Sequence, residues 1–215
     1  MALRSWLFPI ALSLASAAAA VPPQRVEIGY EIARNGSVVA ELRQRLEHDG
    51  RSYRLSETWK GTGIYALRGE ATRTSRGAVA ADGLRPQKFE DRRTGRDPQQ
   101  AEFDPAAKTP TAQRQDRLSF VWSFAFSPPR EAVTVSVNDG KHVTTYVYQV
   151  AGRERLKTPA GEFDTLRLVK RRNNPEGRAT EIWLAADRHY LPVRILVTDK
   201  DGTRLDQLAV KIAEQ

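Results

Sequence analysis

The residue pairs and clusters able to do chemistry are few in this 215-residue chain. Glu162 and Asp164, in the stretch TPAGEFDT, stand two apart, so a strand would turn both carboxylates to one side, within the separation of a glycosidase acid/base pair. Following a Gly turn, they also fit the solvated start of a strand, and the sequence favours that second reading. The three histidines, His48, His142 and His189, are far apart and make no ligand spacing. TDKDG at 198–202 opens like a calcium loop, but Arg204 occupies the position that needs Gly and Thr203 the place of a third acidic ligand. No Gly-x-Ser-x-Gly elbow or phosphate-cradling loop occurs. These patterns point away from an enzyme and call for no metal or cofactor. The densest chemical feature is aromatic: QDRLSFVWSFAF, residues 115–126, places Phe120, Trp122, Phe124 and Phe126 within seven residues of a chain that is 8% aromatic.

The setting of that cluster follows from composition. The opening MALRSWLFPIALSLASAAAAVPP has one cation, a short apolar run and a small-residue site near Ala20, the layout of a cleavable secretory signal peptide. Residues 21–215 are then one exported domain, expected in the periplasm. The apolar run is shorter than the roughly 20 residues of a membrane span, and no later segment approaches that length. With no cysteine, disulfides, thiol catalysis and a lipid-bearing Cys are excluded. The formal charge is +8, with 26 Arg against 8 Lys among 34 cations. Export makes nucleic acid an unsuitable partner for that charge, and an anionic envelope surface the better one; surface composition alone accounts for it equally simply.

The elements that must position the aromatics are strands. Val26, Ile28, Tyr30 and Ile32 alternate with polar neighbours, and Asn35-Gly36 follows as a hairpin turn. Asp49-Gly50, Asp82-Gly83, Asp139-Gly140 and Asp201-Gly202 repeat the turn between further alternating runs at 53–59, 133–137, 143–150, 163–169, 182–184, 191–197 and 205–212. The fold class is therefore mostly β: a large antiparallel meander curled into a barrel or half-barrel to hide its edges. Residues 91–115, rich in charge, Pro and Gln, read as a long surface excursion. After it, residues 118–126 fit two periods. At period 2 the aromatics share one face and Ser119, Ser123 and Ser127 the other; at period 3.6 the segment is apolar nearly all round, with Asp116 as a candidate N-cap. Alternation alone favours a strand.

Several motifs in order resemble a family of exported proteobacterial proteins known as a domain of unknown function. They are Asp82-Gly83-Leu84-Arg85-Pro86 with Phe89; Gln115-Asp116-Arg117-Leu118-Ser119; Thr158-Pro159-Ala160-Gly161-Glu162-Phe163; and Trp183-Leu184-Ala185 followed by Leu191-Pro192-Val193-Arg194-Ile195. The resemblance spans most of the exported chain and brings no catalytic residue. It implies that the Asp-x-Leu-Ser segment starts a short helix, over about 118–126. A weaker similarity, carried by Trp183, Leu191-Pro192-x-Arg194 and Asp201-Gly202, is to periplasmic lipoprotein carriers, whose bent sheet half-closes around an apolar cavity. Those carriers lead with a helix, whereas here strands come first.

The expected function is non-catalytic: binding or carrying an apolar or amphiphilic envelope molecule such as a lipid. Trp59, Phe120, Trp122, Phe124 and Phe126 are the expected binding residues, with Trp122 or Phe124 facing open space and Arg at the mouth. The alternatives are a structural or partner-binding envelope protein with a filled core, and a hydrolase using carboxylates.

Overall fold

The computed structural model describes residues 21–106, 110, 114–172, 174 and 176–215. The expected leader, 1–20, and parts of the expected excursion, 107–109 and 111–113, lie outside the described residues. Alternating sequence becomes strand throughout: β1 (Arg25–Arg34), β2 (Ser37–His48), β3 (Ser52–Gly61), β4 (Glu70–Ala80), β5 (Gly83–Arg93) and β6 (Gln99–Glu102) precede a five-residue helix, α1 (Ser119–Ser123). After it come β7 (Ala132–Asn138), β8 (Val143–Thr158), β9 (Gly161–Lys170), β10 (Ala179–Ala185), β11 (Leu191–Thr198) and β12 (Arg204–Glu214). A 3-10 turn, Gly63–Arg68, joins β3 to β4.

All twelve strands form one sheet in the order β6-β5-β4-β3-β2-β1-β12-β11-β10-β9-β8-β7. It is an antiparallel meander whose first and last strands pair, curled into a nearly closed barrel. Strands β4 and β5 are additions to the sequence reading, and the edge strand β6, overlapping the strand-like AEFD at 101–104, makes residues 91–115 part sheet. The free edges, β6 and β7, meet near Gly140, where a β-carbon would stand 2.8 Å from the Gln100 carbonyl oxygen. Gln115 fills the remaining seam. Its N–H donates to the Ser136 carbonyl (2.9 Å), its carbonyl accepts from Asn138 N–H (2.8 Å), and its Nε2 donates to the Leu84 carbonyl on β5 (2.8 Å).

From that seam the chain enters the lumen as α1, and the helix implied by the family resemblance is the conformation found. Inside a sheet whose neighbours are already paired, a strand here would leave its backbone groups unsatisfied, whereas a helical turn bonds them locally. The Asp116 carboxylate accepts Leu118 and Ser119 N–H (2.8 Å each), and Ser119 Oγ accepts Asp116 N–H (2.9 Å), a reciprocal cap. Ser75 Oγ donates to the other carboxylate oxygen (2.5 Å) and shares a hydrogen bond with the Tyr53 hydroxyl (2.7 Å). Gly83 (φ +122°) lets the segment approach closely: a β-carbon there would lie 2.1 Å from Ser123 Oγ, which accepts Leu84 N–H (2.8 Å).

A second anchor holds the middle of the segment. Trp122 is fully buried, and its indole N–H donates to Gln44 Oε1 (2.8 Å). Gln44 Nε2 donates to Glu57 (2.7 Å), Glu57 pairs with Arg73, and Arg73 with Asp91 (3.0 Å). These four residues are successive register partners across β2, β3, β4 and β5, so they form one row on the inner face. On one side of the row Leu46, Leu55 and Phe89 fill the lumen with Phe126. On the other, the lumen is open.

Two stability measurements follow. Burial pushes the Asp116 carboxyl up to about 6, against the hydrogen bonds from Ser75, Ser119 and Leu118 that favour its charged form. An unfolded Asp titrates near 3.9, so the folded state holds the extra proton in between, and the group's contribution is fully present below about pH 4 and lost as pH rises to about 6. Asp116→Asn keeps a capping oxygen without the charge. Its unfolding free energy relative to wild type should improve by about 3 kcal/mol between pH 4 and 7, and an unchanged difference would overturn the assignment. Arg73→Met leaves Glu57 buried without a cation and Asp91 with Arg93 alone, so urea denaturation should register a loss of about 3 to 5 kcal/mol. Arg43→Met, which removes only an exposed pair with Glu27, should cost less than about 1 kcal/mol.

Candidate functional site

The open half of the lumen is a cavity of about 320 Å³. Gln44, Glu57 and Arg73 of the polar row lie at its base with Phe120 and Val121 of the plug segment. Its far wall comes from β7 to β12, with Val137, Tyr146, Tyr148, Ile195, Val197 and Gln207. Alternation produces this lining: on β8 Tyr146 and Tyr148 share a face, and on β11 Ile195 and Val197 share the face opposite to Arg194. The Phe120 ring stacks on Tyr148 at 6.0 Å, and Tyr146 meets Tyr148 edge-on at 6.4 Å. Burial raises the Tyr148 hydroxyl pKa far above its ordinary range, keeping that wall neutral.

Charge is distributed unevenly around the cavity. Burial opposes the charged form of Arg73, but Glu57 and Asp91 outweigh it and raise its pKa, so its charge is matched. Arg117 is matched by Asp139 (2.8 Å) and Arg178 by Asp199 (2.6 Å). Lys170 differs. Its ammonium stands 5.4 Å from the Tyr146 ring centroid, and no described carboxylate lies within salt-bridge distance of it. Partial burial, with Arg178 and Arg172 adding repulsion, lowers its pKa. An anion placed beside Lys170 would relieve both penalties. The site therefore offers an apolar, aromatic wall and, among the described residues that line it, one cation without a carboxylate partner.

The residues expected from sequence are distributed across this arrangement. Phe120 is half-buried and borders both this cavity and a smaller one of about 200 Å³, which Phe124 also lines. Trp122 is wholly enclosed, and Phe126 packs edge-on against the His48 ring at 5.1 Å. Trp59 lies partly buried against the main core cluster. Glu162 and Asp164 are exposed and share Arg155 (3.2 and 3.9 Å), so they face solvent rather than a cleft. The ring of His48 bonds the Pro22 and Pro23 carbonyls (3.0 and 3.1 Å), fastening the segment that leads into β1. Sequence reasoning missed Lys170, Tyr146 and Tyr148, and with them the buried row. The alternation of TTYVYQV held the two tyrosines in view, but nothing local placed Lys170 opposite them.

Comparison with known proteins gives the fold a context. No curated protein matches the sequence. A beta-barrel-like protein of the domain of unknown function DUF1849 from Brucella abortus is 8% identical, with a TM-score of 0.52, over 89% of this chain and 98% of that one. A protein with YmcC-like fold from Bacteroides fragilis is 12% identical, with a TM-score of 0.46, over 90% and 98%. The MucA/MucB complex structure of Pseudomonas aeruginosa matches at 18% identity and a TM-score of 0.40, over 91% of this chain and 54% of that chain. The first likeness is one of fold. The sequence itself matches a family profile across residues 26–208, from the first inward residue of β1 into β12, and the chain belongs to that family, described as a protein of unknown function (DUF3108).

Proposed function

We propose that the protein is a non-catalytic periplasmic binder or carrier of an anionic amphiphile, which it holds in the open half of the barrel. The observation that carries this reading is the cavity beside Lys170, where apolar and aromatic walls adjoin a cation that no described carboxylate neutralises. Apolar contact with Phe120, Tyr148, Ile195 and Val197 would hold the tail, and Lys170 with Arg178 at the mouth would hold the head. A volume of about 320 Å³ lies at the small end of ligand sites, roughly 300 to 1,000 Å³, which suits one chain better than a whole diacyl lipid. The leader-like first twenty residues support an exported location.

An apolar fluorescent probe should bind wild type saturably and be displaced by a long-chain fatty acid more readily than by a neutral alkyl glycoside. Val197→Trp, which fills the cavity, should abolish probe binding. Lys170→Met should remove the preference for the fatty acid while leaving the neutral competitor unaffected. Phe120→Ala should change probe affinity at modest cost in stability, whereas Trp122→Ala should destabilise by about 3 to 5 kcal/mol. Absence of saturable binding by wild type, or binding indifferent to Val197→Trp, would leave the protein without this function.

A further inference from the structure

We infer that the rim around the cavity mouth docks on an anionic phospholipid bilayer, with Ile64 and Leu67 entering its interfacial layer. In a meander, alternate turns share one end of the barrel. The turns at 35–36, 62–69, 94–98, 139–142 and 199–203, with the described residues between β9 and β10 (171, 172, 174 and 176–178), therefore form the rim into which the cavity opens. On it Ile64 is 79% and Leu67 91% exposed. Scattered exposed apolar side chains are ordinary, but these two occupy a built turn. Tyr65 N–H donates to the Thr62 carbonyl (3.0 Å), Gly69 N–H to Ala66 (3.2 Å) and Thr62 N–H to Val39 on β2 (2.9 Å). The base is fastened to the next turn as well, because Glu70 N–H donates to Thr94 Oγ1 (3.1 Å) and Thr94 N–H to the Glu70 carbonyl (3.1 Å). At Gly61 a β-carbon would stand 2.1 Å from the Tyr65 carbonyl oxygen, so the turn is packed tightly onto its own stalk. Its apolar tips are held outward by that bonding. Val38 and Val143, 48% and 68% exposed, lie on the same rim.

The charge of the rim selects the partner. Arg34, Arg96, Lys141, Arg171, Arg172 and Lys200 make no salt bridge with a described carboxylate. Of the rim acids, Asp139 and Asp199 are already paired with Arg117 and Arg178, leaving Asp97, Glu176 and Asp201 against those six cations. Apolar tips ringed by surplus cations match a surface that is apolar just beneath a negatively charged layer. A protein partner fits less well. A stable interface buries upwards of about 1,000 Å² of matched surface, whereas these tips project singly from separate turns. The inference rests on exposure and charge at the rim and does not depend on the cavity holding a ligand.

Sedimentation with vesicles tests it. Wild type should bind vesicles of phosphatidylglycerol and phosphatidylethanolamine, bind pure phosphatidylcholine weakly, and lose affinity as salt rises. The double variant Ile64→Ser, Leu67→Ser should bind the anionic vesicles at least tenfold more weakly, with unchanged circular dichroism and unchanged probe binding in solution, which separates this surface from the cavity. In Leu67→Trp, adding anionic vesicles should shift the tryptophan emission to the blue. The inference is overturned if wild type ignores anionic vesicles or if the double variant binds them as wild type does. It is equally overturned if the double substitution instead changes the oligomeric mass in solution, which would make the tips a protein contact.

Discussion

A buried indole N–H must find an acceptor, because leaving it unpaired in the interior costs on the order of 1 to 3 kcal/mol. Trp122 finds Gln44, and that one bond commits the sheet to a chain of consequences. An amide turned inward needs its own partner, which is Glu57; a buried carboxylate needs a cation, which is Arg73; and Arg73 is shared with Asp91, which Arg93 also bonds at the rim side (2.8 Å). Burial opposes the charge on Asp91, and the two guanidinium groups outweigh it and hold its pKa below the usual range. The row is thus a continuous path from the centre of the barrel toward water, every member of which satisfies the one before it. Such a network works only when complete.

The row also partitions the lumen. Toward the 49–51 and 81–82 turns, leucines and phenylalanines meet the plug segment, and packing there supplies stability. Toward the other rim the plug segment contributes Phe120 and Val121, and α1 ends after five residues before the chain continues through Ser127-Pro128-Pro129. The seam between β6 and β7 makes this possible. A fully closed sheet would have no entry for the segment, and an open one would expose two edges. Gln115 resolves the conflict by bonding β7 through its backbone and β5 through its side chain, so that the plug and the closure are one device.

Much of this was legible in the sequence and some of it could not be. The Asn-Gly and Asp-Gly turns, and the alternation in 26–32 and 191–197, encode the meander directly, since turn type and side-chain period are local properties. Residues 118–126 were ambiguous because Phe120, Trp122, Phe124 and Phe126 satisfy period 2 while the surrounding apolar residues satisfy period 3.6. The choice was made by the lumen, which leaves no neighbouring strand to pair with. Strands β4 and β5 went unread because ATRTSRGA and PQKFEDRR look like solvated sequence. Arg73 and Asp91 join the inner row because register brings Arg73 beside Glu57 and Asp91 beside Arg73. Register joins residues 16 and 18 positions apart, and no short window of sequence contains that information. Lys170 was hidden for the same reason.

The excess of arginine takes on meaning when its partners are placed. Most cations along the outer walls face a carboxylate on the same or an adjacent strand, as Arg45 does Glu47, Arg167 does Glu181 and Arg194 does Asp206. Exposed pairs of this kind contribute about 0 to 1 kcal/mol each, so they do not explain why the chain is basic. Arg194 and Arg167 add contact by lying over the Trp183 ring at 4.7 and 5.5 Å, which shields an outer-face aromatic from water. Among the described residues unmatched cations lie in two settings: Arg25, Arg54, Arg76, Arg153 and Lys157 on the walls or toward the opposite end, and Arg34, Arg96, Lys141, Arg171, Arg172 and Lys200 at the rim beside the mouth of the cavity, with Lys170 just inside. Charge on the walls faces water on every side, whereas charge beside an opening acts on what approaches that opening. The cations beside the mouth, rather than the net charge of the whole chain, are therefore the ones that bear on the proposed function.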